Sequence, residues 1–230
     1  MDITLNLPDS PEFRELILRK LDAEATEAKF TALRTEREYL EFIAQTDFAR
    51  ASNFRNRTHD LVGEVNDGSV ENAVDVLNRW ARQGKEPITI RLTSPGGQIT
   101  NGLALFDNIR MHISSGITIT TVAMGEAGSM AAVLLQAGTK RVIGQNASFF
   151  IHNLSSKVEH AQISVAGWEE QADNARKLNN RLINVLAERS NLKASEINRR
   201  IRDKGWTLDA ETSIRYGFAD EILQTSYSVK

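Results

Sequence analysis

Pro87-Ile88-Thr89-Ile90-Arg91-Leu92-Thr93-Ser94-Pro95-Gly96-Gly97-Gln98 passes abruptly from one kind of local order to another. The first seven residues are rich in β-branched side chains, which suit a strand. Ser94-Pro95-Gly96-Gly97 breaks that strand. From Thr100 to Ile113 the apolar residues return at helical spacing. Ile117-Thr118-Ile119-Thr120-Thr121-Val122-Ala123 then reads as a second buried strand. A strand, a sharp turn, a helix and another strand make a βαβ unit, which fixes an α/β class with largely parallel strands.

The same alternation extends in both directions. Upstream, Asp60 to Val65 reads as a strand. Val70 to Gln83 reads as a helix capped by Ser69, with Val70, Ala73, Val74, Leu77 and Ala81 on one face. Downstream, Gly125 to Gly128 reads as a small-residue turn and Ser129 to Gly138 as an apolar helix. Lys140–Ile143 and Ser148–His152 read as strands, Ala161–Arg189 as a long helix, and Ser195–Arg202 as a short one.

Residues 1–60 differ from the rest. Ser10, Pro11 and Glu12 suit a helix start. Phe13, Leu16, Ile17, Leu21, Ala25, Ala28 and Ala32 follow in steps of three and four, and Leu33, Tyr39, Leu40, Ile43 and Phe48 extend the pattern. We expect an amphipathic helical arm over 1–60, packed on its own domain or on a neighbouring subunit, and a second domain over 61–230. Acidic residues are as frequent as basic ones in the arm, which argues against a membrane-surface helix.

Composition narrows the function. Lys and Arg number 28 and Asp and Glu 30, a net charge of −2, so no strong basic footprint points to nucleic acid. There is no cysteine, which excludes disulfides, thiolate metal sites and a cysteine nucleophile. No run approaches the about 20 apolar residues that cross a bilayer. The start Met1-Asp2-Ile3-Thr4 lacks a basic segment followed by an apolar one, so a cytoplasmic location is expected. The histidines and carboxylates do not fall into metal-ligand spacing, and no phosphate-binding Gly-rich loop is present, so neither a metal nor another cofactor is expected.

Three strand ends carry unusual residues. Gly96 and Gly97 can leave backbone N–H groups free to bind an oxyanion, or can simply turn the chain. In Gly125-Glu126-Ala127-Gly128-Ser129-Met130 a hydroxyl opens an apolar helix. Ser129 reads either as a helix cap or as a nucleophile beside the Met130 amide. His152 ends the apolar run Phe149-Phe150-Ile151. It reads as a core histidine or as a general base. His59, His112 and His160 stand in polar or helical surroundings and are less well placed. A free amide pair, a serine at a helix start and a histidine at a strand end are together the parts of a serine hydrolase. They fall in successive β-α segments, whose strand ends can meet at one crevice.

This ordered set resembles the Clp protease proteolytic subunit family. The residues that carry the resemblance are Ser94-Pro95-Gly96-Gly97-Gln98-Ile99-Thr100-Asn101-Gly102, Met124 to Ala132, and Phe150-Ile151-His152-Asn153. Later come Asp203 to Glu211 and Tyr216-Gly217-Phe218-Ala219-Asp220. The likeness runs from about Leu61 to Leu223. It implies a spiral α/β fold of β-β-α units shared with the crotonases, with a long handle helix. It implies a self-compartmentalising serine endopeptidase acting on peptide or unfolded protein. Ser129 is then the nucleophile and His152 the base, and the amides of Gly97 and Met130 form the oxyanion hole. Asp203 is the triad acid, with Asp209 as the fallback. The resemblance also implies rings of identical subunits, heptameric and single or stacked, fed by an AAA+ unfoldase. The handle would be Ala161–Arg189, with Trp168, Ala172, Ala175, Leu178, Leu182 and Val185 facing a partner subunit or the subunit's own core.

Two departures are visible. Gly128 stands where the family usually has alanine, and the arm of 1–60 replaces a short axial loop, which puts unfoldase partnership in question. Phage and prophage relatives that process capsid proteins differ at the ends in a similar way. Two other readings stand beside the peptidase. One is a crotonase-type acyl-CoA hydratase or isomerase, for which Glu126 is the only acid in the second motif. The other is a non-catalytic ring subunit.

Overall fold

The computed structural model describes residues 15, 19–20, 22–32, 34–35, 56–154 and 164–223. The chain divides into two units, Met1–Ser52 and Asn53–Lys230. In the first, residues 22–32 are helical and exposed. The Thr31 hydroxyl donates to the Glu27 carbonyl at 2.9 Å, and Arg19 pairs with Glu15 at 2.8 Å, both one helical turn apart. The expected helix start at Ser10 and Pro11, the apolar positions Phe13, Leu16, Ile17, Leu21 and Leu33, and those from Tyr39 to Phe48 lie outside the described residues. So do His160 and the expected start of the long helix at Ala161.

The second unit is a seven-stranded sheet with helices packed on it. Its elements in chain order are β1 (Thr58–Val62), α1 (Asp67–Gln83), β2 (Ile88–Ser94), α2 (Ile99–Ser114), β3 (Ile119–Gly128), α3 (Met130–Leu135), β4 (Lys140–Gly144) and β5 (Ser148–Ile151). They continue with α4 (Val165–Glu188), α5 (Ala194–Ile201), β6 (Trp206–Leu208), α6 (Ala210–Arg215) and β7 (Glu221–Leu223). The strand order β1-β2-β3-β4-β7 is parallel throughout. In β2, Ile88, Ile90, Leu92 and Ser94 are buried and the residues between them are not, the period-2 pattern of a sheet with one face in the core. Leu77 and Trp80 of α1 and Leu105 and Ile109 of α2 cover that core, each at most 1% exposed. Burial of a side chain of this size contributes about 1.5–3 kcal/mol.

Besides the first strand, which runs over Thr58–Val62 and ends before Val65, three sequence expectations change. α1 begins at Asp67, and its cap is Asn66. Ser69 stands in the first turn, where its hydroxyl accepts from the Asn66 amide while Asn66 Oδ1 accepts from the Ser69 amide, both at 3.0 Å. This is a reciprocal capping box with Ser69 in its inner position. The expected turn at Gly125–Gly128 is instead the far half of β3. Thr120–Ala123 pair with β4, and Glu126–Gly128 pair with β5, so a second neighbour continues the ladder. Gly125, at φ 67, lies in the register shift where β3 carries extra residues opposite β2. Third, β6, α6 and β7 add to the elements read from the sequence. β6 pairs antiparallel with β5, and β7 closes the sheet beside β4.

Arg141 holds this late segment in place. Its guanidinium donates to Gln136 Oε1 at 2.6 Å, to the Arg189 carbonyl at 2.6 Å and to the Gly217 carbonyl at 2.7 Å. It also pairs with the Asp220 carboxylate. A buried arginine is tolerated only when its donors are satisfied, and here four partners from three segments share them. Among the described residues no helix is long and apolar enough to cross a membrane.

Candidate active site

The parallel strands β2 and β3 end side by side, with Ser94 in register with Ala127. The Pro95-Gly96-Gly97 turn therefore lies against the Gly128-Ser129-Met130 turn. Side chains would prevent this approach. A Cβ on Gly96 would stand 2.6 Å from Ser129 Cβ and 2.8 Å from the Met130 amide nitrogen, and one on Gly97 would stand 2.3 Å from the Val65 carbonyl oxygen. Both glycines also have positive φ, 104° and 151°. Gly128 has a similar reason: a Cβ there would meet the Pro95 carbonyl oxygen at 2.8 Å.

Ser129 links β3 to α3. Its φ of 50° and ψ of −115° are unusual for a residue with a side chain. The Ser129 amide donates to the Phe150 carbonyl at 2.7 Å, which ties this turn to β5. The capping alternative fails: Ser129 precedes the helix, but its hydroxyl forms no cap bond. Instead Ser129 Oγ lies 2.9 Å from His152 Nε2. β5 brings the histidine there, because it runs beside the end of β3, with Phe150 in register with Gly128. The imidazole stacks on the Phe150 ring, centroids 5.4 Å apart and planes 19° apart.

A cavity of about 260 Å³ opens beside this pair. Gly97, Met130, Ser129 and His152 all border it, together with Pro95, Ile99, Leu154 and Leu182. The four residues read from the three strand ends are thus gathered around one space. Its remaining walls are mostly apolar, so the hydroxyl–imidazole pair borders a space suited to an apolar side chain.

The two candidate acids are elsewhere. Asp203 is exposed in the bend between α5 and β6 and makes no hydrogen bond to His152. Asp209 caps α6, where its Oδ1 accepts from the Thr212 amide at 2.7 Å. Hydrogen bonds from Thr212 hold the Asp209 carboxyl below the usual carboxylate range. Glu126 is exposed and does not border the cavity. Sequence spacing does not mark Leu154 and Leu182 as cavity walls. Leu154 lies just past the third motif, and Leu182 reaches the site from α4, where its spacing signals only packing. Leu182 and Val185 pack against the core of their own unit, whereas Trp168 is exposed.

The model of the Clp protease family matches residues 45–226. The chain belongs to the Clp protease family. Curated relatives agree. One is an ATP-dependent Clp protease proteolytic subunit of Lactococcus lactis subsp. cremoris, 30% identical over 177 residues, covering 75% of this chain and 85% of the relative. Another is the ATP-dependent Clp protease proteolytic subunit 4 of Streptomyces avermitilis, 31% identical over 212 residues, covering 87% and 91%. A third is the proteolytic subunit 1 of Thermobifida fusca, 35% identical over 139 residues, covering 59% and 60%. The Clp protease match spans every element from β1 to β7, including β6 and α6.

Proposed function

We propose that this Clp protease family member is a serine endopeptidase that works inside an oligomeric chamber. The observation that carries the reading is the 2.9 Å contact between Ser129 Oγ and His152 Nε2 at the wall of the cavity. In this mechanism neutral His152 accepts the hydroxyl proton as Oγ attacks the scissile carbonyl carbon. The carbonyl oxygen takes up negative charge facing the amides of Gly97 and Met130. The protonated imidazole then donates its Nε2 proton to the departing amine, leaving an acyl-enzyme on Ser129. Water attacks the ester with His152 again as base, and the acid product leaves. The walls formed by Ile99, Met130, Leu154 and Leu182 favour an apolar side chain next to the cleaved bond.

The resemblance supplies Asp203 as the third member. Its exposed position leaves the reading resting on Ser129 and His152, with no carboxylate hydrogen-bonded to the imidazole among the described residues. A spiral arrangement of the sheet units, a handle role for α4, rings of identical subunits, an AAA+ unfoldase partner and a cytoplasmic location are further parts of the proposal. They are supported by family membership and by the relatives' designation as ATP-dependent proteolytic subunits. Residues 1–60 are the arm in this reading. Peptidase assays test it: Ser129→Ala is expected to lower kcat by roughly 10⁴-fold or more, the scale of a lost triad nucleophile. Retention of full activity would end the proposal.

A further inference from the structure

We infer that Phe150 is the positioning residue for the His152 imidazole, and that Gly205 is glycine because that phenyl ring needs its space. The inference rests on the peptidase reading above and names how its base is held. A general base must present one nitrogen to the nucleophile in a fixed direction. Among the described residues the imidazole's hydrogen bond goes to Ser129 itself. Neither Asp203 nor Asp209 reaches the ring. Its orientation needs another source.

The backbone supplies one. Phe150 lies on β5 and His152 directly follows its end, two residues on, so continued strand alternation sets their side chains on the same side. Their rings lie 5.4 Å apart and nearly parallel, at 19°. This is offset stacking, and it restricts rotation of the imidazole out of that plane. The ring of Phe150 is held in turn from the far side. In the β5–β6 register Phe150 opposes Thr207 and Ile151 opposes Trp206, so one further step sets His152 opposite Gly205. A Cβ on Gly205 would lie 2.2 Å and 2.4 Å from two carbons of the Phe150 ring, and 3.1 Å from the Ile151 carbonyl oxygen. The phenyl ring therefore occupies the space a side chain at 205 would take. Any residue but glycine at this position displaces it, and displacement releases the imidazole.

Full-length protein tests the inference, with a fluorogenic peptide carrying an apolar residue before the cleaved bond. Phe150→Ala is expected to lower kcat about 10- to 100-fold, the scale of a misplaced catalytic group, while KM stays within about twofold. Phe150→Tyr keeps a flat ring and is expected to restore most of the rate; Phe150→Leu keeps bulk alone and is not. Gly205→Ala is expected to lower kcat in the wild-type background and to change little further in Phe150→Ala. Asp203→Asn is expected to cost less than Phe150→Ala. Thermal unfolding of each variant separates a positioning defect from a folding defect. A Phe150→Leu protein that folds and keeps wild-type kcat overturns the inference, as does a larger loss for Asp203→Asn. If Ser129→Ala is itself active, the peptidase reading has failed instead.

Discussion

Ser129 carries two demands that conflict. As the link between β3 and α3 it adopts φ 50° and ψ −115°, the region of a type II′ turn that favours glycine. As the partner of His152 it must keep a hydroxyl. Holding a side chain there costs on the order of 1–3 kcal/mol, recovered from the buried elements on either side. Ser129→Gly is therefore expected to abolish peptidase activity and to raise stability by about 1 kcal/mol in a urea titration; a destabilised variant would contradict the strain argument. The sequence made the four cavity residues legible because each sits next to a glycine break or at the end of an apolar strand. It did not make Phe150 legible as a partner of His152, since an apolar residue two positions before a histidine also describes any half-buried strand. Nor could it place Asp203, because the bend of residues 202–204 and the three-residue β6 carry no period to read.

At the scale of elements, the strand and helix alternation was readable and the joints were not. Gly125–Gly128 has the composition of a turn, yet β5 supplies the ladder partners that make it strand. Pairing with a strand distant in sequence outweighs local propensity. Arg141 shows the same limit: nothing in Lys140-Arg141-Val142 announces that it binds the end of α4 and the turn before β7. Burial works to raise the pKa of Asp220, but the hydrogen bonds and charge of Arg141 outweigh it and hold the carboxyl below its ordinary value. A depressed carboxylate contributes stability that is present above its unfolded pKa, about 3.9, and is lost as pH falls through the lower folded value. Asp220→Asn is thus expected to destabilise the fold at neutral pH, by an amount that shrinks as the pH drops below 4. Thermal unfolding across that range checks it, and a penalty independent of pH would contradict it.

At the scale of the whole molecule, the Ser129–His152 pair lies where parallel strands end, at the carboxyl edge of β2, β3 and β5. That edge is common ground for α/β enzymes, so the fold alone selects no reaction. The selection comes from a hydroxyl and an imidazole paired at one cavity that Gly97 and Met130 also border, together with membership of the Clp protease family. If the protein works as a closed chamber, analytical ultracentrifugation is expected to find a species several times the 25.6 kDa of one chain. A monomer at working concentration would contradict the chamber, even with a reactive serine. The most direct test of the account is fluorophosphonate labelling of the full-length protein, followed by peptide mapping. It predicts a single adduct on Ser129, lost in Ser129→Ala and strongly slowed in His152→Ala. An adduct on another residue, or labelling of Ser129 at the same rate without His152, would contradict it.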